Sequence, residues 1–405
     1  MQYPDSRSSL AANGRPDQPG HVFTRRSFLI ATGGALLAAG CASPSMSPGE
    51  PTRARGSTGS AGSPRGRLQL TLREFDLPLK HTFTISGSSK DVARTLIVEL
   101  AQDGLHGYGE GPESTYYGAS LAAQRSVLEQ ARPQIEAAQW DDPTEFWQQL
   151  RPAFEGQPFG QCALDEAAHD LWGKRRGQPV WKLWGLDCKA GPPTDYTIGI
   201  DTIEVMVAKM RELAGWPVYK IKLGTPQDLE IVQALRSHTD AVFRVDANAG
   251  WTVEETLRKA PALKELGVEF IEQPLPPEDW AGMKEVFPRC ALPVVADESC
   301  RAEADVDRCG ECFHGINIKL VKCGGLTPAR RMIARARQLG LKVMIGCMTE
   351  STVGISAIAQ LRPMLDYADM DGAVLLAKDV ATGVTIKKGR VTYPKVNGCG
   401  VRLLA

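Results

Sequence analysis

The sequence lacks an excess of charge of either sign. Its 405 residues carry 47 lysines and arginines against 47 aspartates and glutamates. This balance offers no electrostatic footprint for nucleic acid or for an anionic membrane. A run of about 20 apolar residues is also absent, so no membrane-spanning helix is predicted. Hydrophobic residues make up 43% of the chain and charged residues 23%, which is typical of a folded globular protein.

The first part of the chain differs in composition from the rest. Arg25 and Arg26 precede Ser27 and then a short, charge-free apolar stretch, an order typical of a signal peptide. The order resembles the twin-arginine signal, which exports folded proteins. We therefore expect residues 1–41 to be an export signal and the protein to be periplasmic. The alternative is a chance arginine pair before a buried helix.

The end of this signal also resembles a lipoprotein cleavage box. Leu37-Ala38-Ala39-Gly40-Cys41 has its leucine displaced by one place, so a lipid anchor at Cys41 and an unmodified cysteine are both open. In residues 42–66, Ser, Pro and Gly supply 15 of 25 positions. Such a stretch cannot bury enough surface to order itself, and we expect a flexible linker.

Cysteine usage gives a weak signal. Nine cysteines follow Cys41, an odd number, so at least one has no disulfide partner. Cys309 and Cys312 form a lone C-x-x-C without a second pair or a histidine at ligand spacing. A structural role is therefore favoured over a metal or redox site.

Residues 67–190 are predicted to form a separate α+β unit. Apolar and polar residues alternate from Leu68 to Leu72 and again from Thr95 to Leu100, which predicts strands joined by a turn at Asp103-Gly104. Helical periodicity follows from Ala119 to Trp184.

A repeat begins after Asp195. Eight β-rich runs recur every 22 to 26 residues or so, starting near residues 196, 219, 242, 270, 294, 316, 342 and 367. Helix signals lie between them, such as the capping box from Thr252 to Glu255 and the start at Thr327-Pro328. This pattern predicts a (β/α) barrel over residues 191–380, with residues 381–405 returning to the first unit. An open doubly wound sheet, the alternative, would need a glycine-rich phosphate turn that is absent.

Carboxylates occur where three successive strands end. Asp246, Glu272 and Asp297 would meet at the mouth of a barrel, and three anions there require a cation. Oxygen ligands of this kind suit a hard divalent ion, and we expect Mg²⁺.

Lysines flank the same strands. Lys220 and Lys222 share one face of the second strand, and Lys319 ends the sixth, across the mouth. Burial and neighbouring positive charge lower the pKa of a lysine, which would make it a base near neutral pH. We expect Lys220 to lower the pKa of Lys222, and the metal to act on both Lys222 and Lys319. Bases on two sides of a metal predict proton abstraction beside a carboxylate. The alternative is that these lysines only form ion pairs with the carboxylates.

Five short motifs together resemble the muconate-lactonizing subgroup of the enolase superfamily, over residues 68–404. The motifs are Lys220-Ile-Lys222, Val245-Asp-Ala-Asn248, Ile271-Glu-Gln-Pro274, Ala296-Asp-Glu-Ser299 and Asn317-Ile-Lys319. The resemblance implies a (β/α)7β TIM barrel with an N-terminal α+β capping domain. It also implies that Lys222 and Lys319 are the acid/base pair and that the three carboxylates bind Mg²⁺, with Asn248 and Glu298 beside them. A lysine on strand six, with no histidine closing strand seven, argues against the mandelate racemase branch.

Within the subgroup, two segments resemble dipeptide epimerases of the L-Ala-D/L-Glu type. They are Asn317–Gly325 and Asp369-Met-Asp371-Gly372. The resemblance implies a small dipeptide substrate whose α-ammonium is held by Asp369 and Asp371, with Lys220 also at the substrate. Two carboxylates two residues apart share a face and suit a compact cation. Ordinary strand-end charges are the alternative for this pair.

For two lysines and two tyrosines the sequence leaves the role open. Lys90 is the one cation of the early loop, and it either meets a substrate carboxylate or faces solvent, so the side-chain preference stays open. Lys322 is expected at the surface or behind the site. Tyr116 and Tyr117 form part of a lid or simply pack.

Rival functions follow from the same residues. Muconate cycloisomerase, o-succinylbenzoate synthase and N-acylamino-acid racemase belong to the same subgroup, but their substrates carry no free ammonium. A non-catalytic exported binding lipoprotein would suit the signal yet gives no reason for two lysines around a metal. A lysine Schiff-base aldolase needs one lysine and no metal. The number of subunits is open, with a homo-oligomer among the choices.

Overall fold

The computed structural model describes residues 66–85 and 88–404, so the predicted export signal, Cys41 and most of the predicted linker lie outside the described residues. The described residues belong to one compact unit. Among them, no helix is long and apolar enough to cross a membrane.

A three-stranded antiparallel sheet opens the fold. It consists of β1 (Gln69–Ile85), β2 (Ser88–Gln102) and β3 (Leu105–Pro112), paired in that order. Asp103 and Gly104, with φ of 52° and 77°, form the tight turn between β2 and β3. Two positive φ values in succession are what a two-residue hairpin turn with the right twist requires. The predicted strand–turn–strand pattern is confirmed.

Helices cover one face of this sheet. They are α1 (Leu121–Ala137), α2 (Pro143–Leu150), α3 (Pro158–Arg175) and α4 (Val180–Leu183), with a 3-10 turn at Arg151–Phe154. Most of α3 is buried. It packs so closely on β3 that a Cβ at Gly107 or Gly109 would overlap the main-chain oxygens of Ala167 and Ala163. The glycines of this strand therefore allow close helix–sheet contact.

The repeat after Asp195 forms an eight-stranded parallel sheet whose neighbours follow sequence order. A parallel bridge between Thr194 and Ala368, with Asp195 N donating to Ala368 O at 3.1 Å, joins its two edges. The sheet is thus a barrel, and the open-sheet alternative is excluded. The strands are β4 (Tyr196–Ile198), β5 (Val218–Lys222), β6 (Val242–Asp246), β7 (Val268–Glu272), β8 (Val294–Ala296), β9 (Gly315–Lys319), β10 (Lys342–Gly346) and β11 (Tyr367–Ala368).

Helical segments connect the strands, giving the (β/α)7β pattern. The predicted capping box is present, since Thr252 N donates to Glu255 Oε2 at 3.0 Å and Glu255 N donates to Thr252 Oγ1 at 3.2 Å. The helices are α5 (Ile203–Glu212), α6 (Asp228–Arg236), α7 (Val253–Glu265), α8 (Trp280–Val286), α9 (Val306–Cys309), α10 (Leu320–Cys323), α11 (Leu326–Gln338) and α12 (Thr352–Ala359). Further 3-10 turns lie at Glu303–Asp305, Arg362–Met364 and Gly372–Leu375.

The chain after residue 380 makes two small sheets and returns to the capping domain. β12 (Ala381–Thr382) pairs with β15 (Arg402–Leu403), and β13 (Thr385–Lys387) pairs with β14 (Arg390–Thr392). The intervening loop contacts α3, where Cys399 N donates to Asp170 Oδ1 at 2.7 Å.

Apolar side chains fill the lower part of the barrel and leave the other end polar. Phe270, Val295 and Met344 form a buried cluster inside it, and Tyr367 packs against them. Parallel strands bring their carboxyl ends to the opposite rim, where the charged side chains of the predicted site lie.

Cys309 and Cys312 are buried free thiols. Their sulfurs face main-chain oxygens of Ser299 and Arg308 at 3.7 and 3.6 Å. This packing fits the structural role expected for the pair.

Candidate active site

Three carboxylates meet at the rim of the barrel. Asp246 and Glu272 are the last residues of β6 and β7, and Asp297 follows β8 directly. All three are fully buried, and a carboxylate oxygen from each lies within 4.8 Å of the other two. A set of close, buried, hard oxygen donors is what Mg²⁺ or a similar ion needs. The residues present therefore fit the predicted metal site.

The charges on these carboxylates depend on the lysines around them. Burial alone would raise the pKa of each carboxylate. At Asp246 the charges of Lys222 and Lys220 outweigh burial, and the pKa is lowered. At Asp297 the charges of Lys319 and Lys322 do the same. Burial and then Asp246 raise the pKa of Glu272 to about 7. Of the three carboxylates, Glu272 is thus the one that needs a further cation to stay ionised.

Lys220 and Lys222 point inward from β5, as their spacing predicts. Lys222 Nζ lies 2.6 Å from Asp246 Oδ2, and Lys220 Nζ lies 3.2 Å from the same oxygen. Lys319 ends β9, four strands away around the barrel, and its Nζ lies 2.6 Å from Asp297 Oδ2. The ion pairs of the alternative interpretation are therefore present, and they are made with the proposed metal ligands themselves.

In this arrangement the surrounding carboxylates outweigh burial in the pKa values of Lys220 and Lys319. Burial alone would lower both, but the neighbouring carboxylates, Asp369 first for Lys220 and Asp297 first for Lys319, raise each pKa well above its usual value. Compensation of the carboxylates by another cation leaves burial as the main influence, and burial favours the neutral amine.

Asp369 and Asp371 follow β11 and are buried beside β4 and β5. Asp369 Oδ2 lies 2.8 Å from Lys220 Nζ, while Asp371 Oδ2 accepts a hydrogen bond from Thr197 N at 2.6 Å. Lys220 also lies 2.8 Å from Glu272 Oε2, so it bridges the aspartate pair and the three-carboxylate set. Burial and then Asp369 raise the pKa of Asp371 to about 7.

Asn248 and Glu298 stand beside the metal ligands. Asn248 N donates to Asp246 Oδ1 at 2.8 Å, and its side-chain amide donates to Glu298 Oε1 at 3.4 Å. Burial, followed by Asp297 and Asp246, raises the pKa of Glu298 to about 7.

Lys90 is half-buried on β2. Burial lowers its pKa, opposed by the charges of Glu350 and Cys347, which follow β10. Glu350 is itself buried, and burial and then Glu110 raise its pKa to about 8. Lys90 is thus shielded from solvent and within electrostatic reach of Glu350, a carboxyl group that the sequence gave no reason to select.

Tyr117 brings the capping domain to the same rim. Its buried hydroxyl has no hydrogen-bond partner among the described residues, and after burial the charges of Asp297 and Lys319 are the main influences on its raised pKa. Tyr116 beside it is 61% exposed. Tyr117 is therefore packed at the rim, whereas a lid role for the exposed Tyr116 stays a prediction.

Three residues that the sequence did not assign to the site complete it. Asn317 donates from its side chain to Glu272 Oε1 at 2.7 Å, and Gln273 accepts from Asp297 N at 3.0 Å. Lys322, which was expected at the surface or behind the site, is buried against Asp297 at 2.5 Å. Non-glycine residues with positive φ at Asn248, Ala249 and Gln273 mark the turns after the ligands. Such backbone outliers cluster at functional sites.

Comparisons with known proteins agree with this geometry. The family model described as mandelate racemase / muconate lactonizing enzyme, N-terminal domain, matches residues 68–185, and the one described as enolase C-terminal domain-like matches residues 203–404. An L-Ala-D/L-amino acid epimerase from Flavobacterium johnsoniae is 55% identical over 83% of this chain and 100% of its own. An L-Ala-D/L-Glu epimerase from Bacteroides thetaiotaomicron is 38% identical over 83% of this chain and 88% of its own.

A solved structure shows the same fold with ligands present. The dipeptide epimerase from Methylococcus capsulatus, complexed with Mg and L-Arg-D-Lys, is 32% identical, with a TM-score of 0.77 over 83% of this chain and 99% of that one. The capped barrel and its rim of carboxylates and lysines define an enolase-like isomerase. The chain belongs to the mandelate racemase/muconate lactonizing enzyme family of the enolase superfamily, among its dipeptide epimerases.

Proposed function

We propose that the protein is an Mg²⁺-dependent isomerase that epimerizes L-Ala-Xaa dipeptides at the α-carbon of their C-terminal residue. The observation that carries the proposal is that one barrel rim holds three groups together. These groups are a three-carboxylate metal site, two lysines on strands across the barrel and a buried aspartate pair.

The carboxylates and the lysines divide the chemistry. Asp246, Glu272 and Asp297 hold Mg²⁺, which, when bound, stabilises the negative charge that develops on the substrate carboxylate. Lys222 and Lys319 stand on opposite sides of the α-carbon. One removes the α-proton and the other returns a proton to the opposite face, so each serves as the base for one epimer.

The aspartate pair holds the α-ammonium of the dipeptide. Asp371 is buried with a raised pKa, and an ammonium group beside it favours its ionised form. Lys220 already neutralises Asp369, so Asp371 supplies the free negative charge. This role distinguishes dipeptides from the N-acylated or non-nitrogenous substrates of the rival enzymes, which offer no cation to this pocket.

The side chain of the epimerized residue meets Lys90. A carboxylate side chain, as in L-Ala-L-Glu, pairs with this lysine, but Glu350 competes for the same partner. We therefore expect L-Ala-L-Glu to be one substrate among several L-Ala-L-Xaa dipeptides. The name of the Flavobacterium johnsoniae relative, an L-Ala-D/L-amino acid epimerase, supports this breadth.

Asp371→Asn tests the activity and the clamp together. Wild-type protein should epimerize free L-Ala-L-Xaa dipeptides and not their N-acetyl forms. The variant should lose activity on free dipeptides by roughly 10²-fold, because a buried, charge-assisted contact to the ammonium is lost. The epimer ratio, measured by proton NMR with and without Mg²⁺, reports the activity of wild-type protein and the loss in the variant.

The matched control is Asp366→Asn. Asp366 lies in the same segment and pairs with the surface residues Arg337 and Lys342. It should retain wild-type epimerization. A wild-type protein that acts on N-acetyl amino acids as well as on free dipeptides would favour an N-acylamino-acid racemase instead.

We propose that residues 1–41 direct export by the twin-arginine route. Replacing Arg25 and Arg26 by lysine should leave the protein in the cytoplasm as a precursor, since the arginine pair is the recognised element. Cell fractionation and mass measurement read out the result. Processed protein in the periplasm of this variant would refute the proposal, and acylated Cys41 in the membrane fraction of wild-type cells would show a lipid anchor.

A further inference from the structure

Lys322 is a buried lysine on α10 whose hydrogen-bonding capacity is fully used. Its Nζ lies 2.5 Å from Asp297 Oδ1, 2.6 Å from Asp297 O and 3.1 Å from Asn317 O. An ammonium group has three N–H donors, so each has an acceptor. The side chain is 1% exposed. Turning Lys322 towards a substrate would therefore break all three of these contacts.

Lys319, three residues earlier, holds the other oxygen of the same carboxylate in a different way. Its Nζ donates to Asp297 Oδ2 at 2.6 Å, at the side of the site where Tyr117 lies. The two oxygens of Asp297 are thus distinguished by their partners. Oδ1 is held by Lys322, and Oδ2 is held by Lys319.

Gln273 holds the main chain of the same residue from the other side. Its Oε1 accepts from Asp297 N at 3.0 Å and from Ser299 N at 3.1 Å, while its Nε2 donates to Leu275 O and Ser299 Oγ. The N–H of Asp297 is therefore held by Gln273, and its C=O is held by Lys322 and by Cys300 N at 3.1 Å. The side-chain torsion of Asp297 is the remaining degree of freedom, and the contact from Lys322 Nζ to Oδ1 restricts it.

We propose that Lys322 is a positioning residue that sets the rotamer of Asp297, so that Oδ2 is the one oxygen of this residue presented to the metal ion. The inference rests on the proposed function, because it concerns the metal of that reaction. Lys322 touches neither the substrate nor the ion, and it acts through Asp297.

Two effects of Lys322 on metal affinity have opposite signs. Its positive charge repels a divalent ion, whereas its hold on Asp297 orients a ligand. Orientation is the larger effect here, because the positive charge of Lys322 is already paired with the Asp297 carboxylate and two main-chain oxygens. Partners that orient metal ligands typically account for roughly 10- to 100-fold in affinity.

The test compares Mn²⁺ binding to wild-type protein and to Lys322→Met, with free Mn²⁺ measured by electron paramagnetic resonance. Methionine keeps the length of the side chain and removes the donors. We expect the Mn²⁺ dissociation constant to rise by about 10- to 100-fold. Lys322→Arg, which retains a cationic donor, should recover part of this loss. At saturating Mg²⁺ the KM of Lys322→Met for the dipeptide should stay within about 2-fold of wild type, since Lys322 does not contact the substrate.

Lys259→Met is the matched control. Lys259 is also buried, at 5% exposure, and also pairs with a buried carboxylate, Asp228 Oδ2 at 2.8 Å, but it lies on α7 outside the rim. It should lose thermal stability and keep the wild-type Mn²⁺ affinity.

Unchanged or tighter Mn²⁺ binding by Lys322→Met would overturn the inference, as would an equal loss of affinity in Lys259→Met. A wild-type protein that binds Mn²⁺ and shows the expected order of the variants, yet epimerizes no dipeptide, would refute the proposed function and uphold the positioning role.

Discussion

Replacing Lys222 or Lys319 by alanine is expected to lower epimerization by about 10³-fold or more, since the cycle needs an acid and a base on opposite faces. Each variant should still exchange the α-proton of one epimer with solvent deuterium. The lysine that remains can take a proton from its own face and return a solvent one. The two variants should therefore label opposite epimers.

Proton NMR and mass spectrometry in D₂O measure the exchange and the inversion separately. Lys342→Ala is the control, because this lysine begins β10 at the far end of the barrel and pairs with Asp366 at 3.1 Å. It should epimerize at the wild-type rate. Labelling of the same epimer by both site variants, or undiminished inversion in either, would contradict a two-base mechanism.

Glu272→Gln is expected to lower turnover by about 10³-fold, equivalent to about 4 kcal/mol of transition-state stabilisation, because the metal site loses one of its three anions. Glutamine has the same shape, and its amide oxygen can keep the contact to the side-chain amide of Asn317, now 2.7 Å from Glu272 Oε1. The fold should therefore persist. Turnover with and without EDTA, Mn²⁺ binding and thermal unfolding by circular dichroism are the measurements.

Glu269→Gln serves as the control on the same strand. Glu269 pairs with Arg244 at 2.9 Å below the rim and is not among the close carboxylates that can hold a metal in the described part of the chain. It should keep both metal binding and turnover. Full activity of wild-type protein in EDTA, with no bound metal, would remove the metal from the mechanism.

Much of the fold could be read from the sequence because its local signals are strong. The run predicted to start near residue 342 is the strand that begins at Lys342, and the capping box at Thr252 marks a helix start. The strand predicted from Phe270 begins two residues earlier, at Val268, because Val268 and Glu269 extend the pairing before the most apolar stretch. Element ends depend on hydrogen bonds to neighbouring strands, which a single strand's composition does not specify.

The pKa values of Lys220 and Lys319 could not be derived from the sequence. Burial lowers both, but several carboxylates surround each amine and the net shift is upwards. Such a balance is a property of the whole rim, so it could not be judged from any one motif.

The sequence by itself determined which side chains stand at the rim. In a parallel barrel every strand delivers its last residue to one edge, so Asp246, Glu272, Asp297 and Lys319 had to meet once the strands were located. Only the tertiary structure decided which oxygen each lysine holds and that Lys322, on the short helix after β9, turns inward to Asp297. A strand has a two-residue period that fixes the direction of its side chains, whereas the first turn after a strand has no such rule. Its direction is set by packing against residues distant in the chain.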